Sequence, residues 1–304
     1  VSPVDLAPQE LRTLVAVADE RGFSAAAVRL GTTQSAVSHA VRGIERKVGV
    51  VLFERGRYGA RPTAAGERAA AHARRILRML EVLVTETREA ARDGKIGEIG
   101  EIGGPLRIAA FRSAALYLLP PVLERLAARH PGIEATVTVV REVGPGTAGE
   151  VADGRADLGI ATIGTSSPIP PELVGDVLLE EPYALVHPAG HPRPRSLPLV
   201  DWQENCSSYT RQWWAAQDWI PTATVRAEDD GAVLSMVGSG LGMAIMPGLS
   251  LTGAPPTTAI TDLGPERPTR RVGYVTTPEL AATAAVRALV RELRADAKPQ
   301  VRAV

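Results

Sequence analysis

The chain has 304 residues, room for two or three domains, and its 45% hydrophobic and 22% charged content excludes collagen-like and disordered classes. Its zero net charge hides an asymmetry: residues 1–93 carry 15 basic and 11 acidic side chains and residues 94–304 carry 19 and 23, the layout of a polyanion-binding head on a body with another task. No run of 18 apolar residues could span a bilayer, residues 1–10 lack a signal layout, and the single cysteine, Cys206, closes no internal disulfide, so the expectation is a cytoplasmic protein with no membrane partner, metal or cofactor.

Leu6, Leu11, Leu14, Val15, Val17 and Ala18 recur at near-helical spacing after or around Pro8, so residues 6–18 read as a first helix. Gly22 and Phe23 break it, and Ser24 stands as the N-cap of a short second helix ending at Gly31. Thr32 or Thr33 caps a third helix over residues 34–48, with Ala36, Val37, Ala40, Val41, Ile44 and Val48 on its inner side, and Gly49 ends it. Two short amphipathic helices about the Gly31 turn are the layout of a helix-turn-helix, whose second helix lies in the major groove. Thr33, Gln34, Ser35, Ser38, His39 and Arg42 then remain for the outer face: short hydrogen-bonding groups and one Arg, suited to base edges and phosphates. Any one of them is explained equally well as part of a capped, solvated helix face. Residues 50–53 read as a short strand, and Arg55, Arg57 and Arg61 around the following glycines form a basic hairpin, or wing, able to grip backbone phosphate. The preference for Arg over Lys, 31 to 3, runs through the whole chain and carries no function of its own.

Residues 64–91 hold no proline and one glycine, Gly66, and Ile76, Leu80, Leu83 and Thr87 continue at intervals of four and three. That is a long helix with an apolar seam, expected to dimerise the chain. Residues 94–104 (GKIGEIGEIGG) read as a glycine-rich linker with a short GEI repeat. Beyond Pro105 strands and helices alternate: strands at 106–110, 134–140, 158–162, 183–187, 242–246 and 272–276, helices at 113–130, 146–153, 232–240 and 278–297. The order predicts parallel strands with helices on both faces, in two α/β lobes with a cleft between them.

Ser113, at a helix start, offers a hydroxyl and backbone N–H groups to an anion, or simply caps the helix. Arg226 suits a carboxylate, whereas Asp229 and Asp230 suit an amine or cap the helix from Ala232; the two readings imply opposite ligand charges. Trp202, Trp213, Trp214 and Trp219 could stack a planar ligand, with lobe core or a subunit contact the preferred reading, and lone Cys206 reads as inert rather than redox-sensing. No GxSxG, GxxxxGK or HExxH motif is present, and His187 and His191 sit in Pro-flanked turns, so no catalytic residue is assigned and no enzyme is expected.

Residues 23–69 strongly resemble the amino-terminal domain of LysR-type transcriptional regulators, in Ser24-Ala25-Ala26-Ala27, Leu30, Gln34-Ser35-Ala36-Val37-Ser38, Ile44-Glu45, Gly49, Leu52-Phe53-Glu54-Arg55 and Pro62-Thr63-Ala64-Ala65-Gly66. LERLAARHPGIEATV, GRADLGIA, the AGHP turn at 189–192, VGSGLGMAIMP and the last helix resemble that family's effector domain more loosely. Ile44 and Pro62 stand where leucine is usual, and the GEI linker also departs from the pattern. The resemblance implies an α/β protein with a winged helix-turn-helix over residues 1–63, a linker (dimerisation) helix over 64–93, the Gly-rich linker over 94–104 and a two-lobed, periplasmic-binding-protein-like α/β effector domain over 105–304. Lobe 1 would take about 105–182 and 268–304, lobe 2 about 183–267.

The implied partners are double-stranded promoter DNA, a small-molecule coinducer with an anion slightly favoured, and further copies of the chain in a homodimer or homotetramer. By position, Thr33, Gln34, Ser35, Ser38, His39 and Arg42 of the third helix and Arg55, Arg57 and Arg61 of the wing would meet DNA. Arg112, Ser113, Ala114, Thr162, Ser207, Arg226 and Asp229 would line the effector cleft. A ligand-independent architectural protein leaves the two-lobed body without a task, since bending DNA needs no cleft, and a DNA-binding domain fused to an enzyme lacks its motif.

Overall fold

The computed structural model describes residues 5–56, 59–93, 102–164, 167–203 and 208–296. The chain divides into two compact units, the first built mainly from the residues up to Glu101 and the second from most of the chain beyond it.

The first unit contains α1 (Pro8–Glu20), α2 (Phe23–Leu30), α3 (Gln34–Val48), a hairpin of β1 (Phe53–Gly56) and β2 (Gly59–Pro62), and α4 (Ala64–Asp93). Gly31 (φ 62) and Gly49 (φ 80) end α2 and α3 in the left-handed region that glycine enters without steric cost. Leu14, Val17, Ala26, Val37, Val41, Ile44, Leu52 and Phe53 form one core. Strand β1 begins at Phe53 rather than at Val50 as expected, and Val50 and Val51 stay exposed. The reason is Glu45, whose Oε1 accepts the N–H groups of Leu52 (2.9 Å) and Phe53 (3.2 Å) and so draws the incoming chain onto α3. At Gly66 a Cβ would come within 1.9 Å of the Leu52 carbonyl oxygen, so only glycine lets α4 start this close to the wing. Pro62 does not prevent the hairpin: it pairs with Phe53 at the strand end.

The second unit contains β3 (Gly103–Ala110), a π-helical turn (Ala114–Leu118), α5 (Leu119–Arg129), β4 (Gly132–Val139), α6 (Gly146–Ala152) and β5 (Leu158–Thr162). Then come β6 (Val174–Pro188), β7 (Leu199–Trp202), α7 (Ser208–Ala215), β8 (Ala223–Ala227), α8 (Asp230–Gly238) and β9 (Ala244–Pro247). The chain continues through α9 (Gly248–Leu251), β10 (Thr258–Asp262), β11 (Thr269–Thr276), α10 (Pro278–Ala281) and α11 (Ala284–Asp296). Of the segment read as a linker, 94–101 lie outside the described residues, while Gly103 and Gly104 already belong to β3.

The sheet order is β10-β6-β11-β5-β3-β4, with β9 also on β6. The expected all-parallel sheet is corrected to a mixed one. Strand β3 runs parallel to β4 and β5, and β7 to β8, but β11 is antiparallel to β5 and β6, and β6 to β9 and β10. The cause is the 15-residue β6: its first half pairs with β11 and its second half with β9 and β10, so one strand threads both lobes. The four tryptophans belong to lobe 2 packing. Trp202 is buried with Val186, Val200 and Val237, and Trp213, Trp214 and Trp219 pack on Tyr183, Leu185, Met243 and Ile245.

Candidate DNA-reading face and effector cleft

On α3 the buried positions Val37, Val41 and Ile44 fix the inner side, which leaves Ser35, His39, Arg42 and Arg46 as an exposed stripe at i, i+4, i+7 and i+11. Thr33 is the N-cap, its Oγ1 accepting the Ala36 N–H at 3.2 Å, and Gln34 is exposed beside it. The expected sidedness needs one correction: Ala36 is exposed and Ser38 is buried, because Ser38 lies on the flank of the inner arc and meets the neighbouring packing. Arg46, which carried no distinguishing signal in the sequence, joins the stripe. His39, Arg42, Arg46, Gly49, Val50 and Val51 border a shallow concavity of about 660 Å³. In the wing, Arg61 is exposed and lies opposite Glu54, Arg55 lies in β1 opposite Ala60, and Arg57 lies outside the described residues. Neither Arg42 nor Arg61 is in an ion pair among the described residues, so both guanidinium groups are available to phosphate or bases.

On α4 the side chains of Ile76, Met79, Leu80, Leu83 and Val84 recur at helical spacing and are exposed, with Thr87 exposed one turn beyond. Five large apolar groups on one helix face are an unusual exposure for a single chain.

In the second unit, β3 ends at Ala110 and delivers Phe111, Arg112, Ser113 and Ala114 to the edge of lobe 1. Arg112 reaches across to lobe 2, donating from Nη1 to Asp230 Oδ1 at 2.7 Å, with its Nε 3.8 Å from Asp229 Oδ1. Burial works against the Arg112 charge, but the hydrogen bond to Asp230 and the charges of Asp230 and Asp229 outweigh it and hold the group above its ordinary pKa. Asp230 in turn accepts the Ser250 hydroxyl at 2.7 Å, and Asp229 caps α8 by accepting the Ala232 N–H at 2.9 Å. Ser113 and Ala114 are buried at the start of the π-helical turn, and the Ser113 side chain does not cap it.

Two further lobe contacts accompany the ion pair. The Tyr117 hydroxyl lies against Gly253, where a Cβ would be 1.9 Å away, and Arg141 Nη2 donates to Gln203 Oε1 at 3.1 Å. Beneath them Arg270 is paired with Glu181 and stacked 4.7 Å from the Phe111 ring centroid, while Glu181 Oε2 accepts the Leu249 N–H. The Thr162 N–H goes to Glu142 Oε1 at 2.8 Å, and Glu142 Oε2 takes both the N–H and hydroxyl of Thr147.

Of the residues expected in the cleft, Arg112, Ser113, Ala114 and Asp229 thus come together. Arg226 does not join the pair: it is exposed on β8, while its neighbours Val225 and Ala227 face the lobe 2 core. Ser207 and Cys206 lie outside the described residues. Asp230, Ser250 and Tyr117 lie at the same contact between the lobes, and of these only Asp230 carried a sequence signal, through the Asp-Asp pair before α8. His187 is buried in a structural role, with Nε2 against Thr261 Oγ1 and Nδ1 against the Pro188 carbonyl.

A family model of the bacterial regulatory helix-turn-helix protein, lysR family, matches residues 8–67, and one of the LysR substrate binding domain matches residues 100–298. The chain belongs to the LysR family of transcriptional regulators. This LysR-type regulator is 34% identical to a probable HTH-type transcriptional regulator, LrrA, of Synechococcus elongatus, over 97% of the present chain and 98% of the relative. Its fold is shared by a full-length OxyR variant of Pseudomonas aeruginosa (TM-score 0.69, 22% identity, 99% of both chains). Full-length CbnR in complex with its target DNA shares it too (TM-score 0.64, 21% identity, 96% and 100%). The LysR-type regulator therefore combines an amino-terminal DNA-binding domain with a carboxyl-terminal effector-binding domain. Among the described residues, no helix is long and apolar enough to cross a membrane and no group of His, Cys, Asp and Glu could hold a metal ion.

Proposed function

We propose that this regulator binds double-stranded promoter DNA as a homodimer or homotetramer in the cytoplasm, without catalytic activity of its own, and that a small molecule in the interlobe cleft sets its output. The observation that carries the reading is the exposed Ser35, His39, Arg42 and Arg46 stripe on a helix-turn-helix, with Arg61 presented by the adjoining wing. In this arrangement α3 enters the major groove, the wing meets phosphate, and the apolar face of α4 pairs two copies so that two reading helices address successive grooves. An effector that prefers one lobe arrangement shifts the population of DNA-bound states, and near-complete switching takes a discrimination on the order of 5 kcal/mol. The target-DNA complex of CbnR speaks for that protein; what supports the reading here is the shared fold and the free arginines.

The test uses a duplex selected by the protein from a random pool. Arg42→Ala is expected to weaken binding to the selected site by about 1–3 kcal/mol and to unrelated DNA by much less, as for a base-reading Arg. Equal loss on both, with a salt dependence reduced by about one phosphate, would make Arg42 a backbone contact. Failure to enrich any sequence would refute the reading as a sequence-specific regulator.

A further inference from the structure

We propose that lobe 1 carries a second ligand site, separate from the interlobe cleft, which takes a phosphate monoester with an apolar body. The site is a cavity of about 420 Å³ between β11 and the α10–α11 segment, with Tyr274 and Val286 in its walls and Arg287, Arg291 and Arg294 along its rim. None of its lining residues takes part in the contact between the lobes.

The cavity is built by the backbone. Strands β11 and β6 shift register between Val272 and Gly273, and they run so close that a Cβ at Gly273 would lie 2.3 Å from the Asp176 carbonyl oxygen and one at Gly175 2.0 Å from that of Tyr274. Such an irregularity re-aims side chains. Here it brings Tyr274 and Asp176, which are partners across the two strands, to Arg294 of α11. Arg294 Nη2 donates to Asp176 Oδ2 at 2.9 Å and to the Tyr274 hydroxyl oxygen at 3.3 Å. The phenolic O–H then has no acceptor among the described residues and is free to donate to a ligand. Val286, 1% exposed, gives the cavity an apolar floor together with Ala281 and Val290. A helix face that is merely solvated needs neither this floor nor the register shift.

The rim is cationic and unbalanced. Arg287, Arg291 and Arg294 follow at i, i+4 and i+7 and so share one helix face, with neighbours roughly 6 Å apart at Cβ, where like charges repel. Asp176 neutralises Arg294, but Arg287 and Arg291 are exposed and in no ion pair among the described residues. Glu292, on the same helix, is turned to the other flank, where it is buried and paired with Arg125 and Arg129. The first turn of α11 holds no acidic residue, so the helix amino terminus adds to the positive potential. Two uncompensated guanidinium groups one turn apart match a dianion. A phosphate monoester carries about −1.5 to −2 charges at neutral pH and three acceptor oxygens, enough for both arginines and the Tyr274 O–H at once. A monocarboxylate brings one charge and two oxygens. The apolar floor takes the organic substituent, which separates the ester from free phosphate.

The test is calorimetric titration of the full chain, in phosphate-free buffer near neutral pH, with phenyl phosphate, phenyl sulfate, benzoate and inorganic phosphate. Phenyl phosphate is expected to bind at least about tenfold more tightly than phenyl sulfate, its singly charged counterpart, and than the other two. Arg287→Gln and Arg291→Gln, both at exposed positions that the fold tolerates, should each weaken it by about 10- to 100-fold. Tyr274→Phe, which keeps the ring beside Arg294, should weaken it by about tenfold. Equal affinity for phenyl sulfate or benzoate would overturn the dianion assignment, and equal affinity for inorganic phosphate would overturn the organic body. Undiminished binding by the protein carrying both Arg287→Gln and Arg291→Gln would place the phosphate on other arginines and remove the site. Absence of phenyl phosphate binding at millimolar concentration overturns the proposal as a whole.

Discussion

Glu45→Ala tests whether the reading helix and the wing are one mechanical piece. Glu45 Oε1 accepts two backbone N–H groups, from Leu52 at 2.9 Å and Phe53 at 3.2 Å, and both residues are buried. Hydrogen bonds to a charged acceptor contribute about 1.5–3 kcal/mol each, and Glu45 is only half-buried, so the lower end applies and the pair sums to about 3 kcal/mol. For a domain of this size, that corresponds to a midpoint lower by roughly 12–24 °C in the transition of the first unit. Glu45→Gln keeps one acceptor oxygen without the charge and should lose about half as much. The assay is thermal unfolding with amide exchange at Leu52 and Phe53, which reports the two bonds themselves. A Glu45→Ala protein within about 0.5 kcal/mol of the parent, with both amides still protected, would refute the link.

The apolar face of α4 makes a second expectation: replacing Leu80 and Leu83 together by Asp should leave the chain folded, since both are exposed, yet weaken dimerisation by at least roughly 30-fold in sedimentation equilibrium. An unchanged association constant would move the interface elsewhere. A third concerns pH. Burial raises the Glu292 pKa, but hydrogen bonds and charge from Arg129 and Arg125 outweigh it and hold the carboxyl below the usual range. The stabilisation is therefore present above the unfolded pKa of about 4.3 and is lost as pH falls through the lower folded value, so the stability gap between the parent and Glu292→Gln should be widest near pH 7 and close in acid. A gap independent of pH would contradict the assignment.

Much of the first unit was legible because its signals are local. Gly31 and Gly49 end their helices where spacing put them, Thr33 rather than Thr32 is the cap of α3, and residues 158–162 form β5 as read. Helix α2, however, starts at Phe23 after Gly22, so Ser24 lies inside the helix and is not its expected N-cap. What failed depended on distant packing. Ser38 and Ala36 are both small and differ only in which neighbour each meets, which the period alone does not decide. The first half of β6 was hidden by Asp176, Glu180, Glu181 and Pro182, because its polar residues are satisfied by partners on other elements, Glu181 by Arg270 and Asp176 by Arg294. The long helix read over 278–297 breaks into α10 and α11, with Thr283 Oγ1 bonded to the Leu280 carbonyl at the joint. In the cleft, Arg112 and Asp230 were each visible as charged residues, but 118 positions separate them and only the fold makes them a pair.

That pair and the Tyr117–Gly253 contact both join the two lobes, and their relation can be tested without knowing the effector. Gly253→Ala places a Cβ 1.9 Å from the Tyr117 hydroxyl oxygen and 2.8 Å from Cζ, so the ring must retreat by about 1.5 Å to regain ordinary contact. Tyr117 lies in the π-helical turn that directly follows Arg112 and Ser113, and its retreat pulls on the loop that carries the ion pair. Because the clash is with the free end of a side chain, global stability should fall by no more than about 1 kcal/mol, while amide exchange over residues 111–118 and in α8 should speed up. Tyr117→Ala supplies the missing space, so adding Gly253→Ala to it should have no further effect, the non-additivity expected of residues that act through one contact. If the two substitutions add, or if exchange near Arg112 is unchanged in Gly253→Ala, the Tyr117 contact and the ion pair are independent, and the effector can open one without disturbing the other.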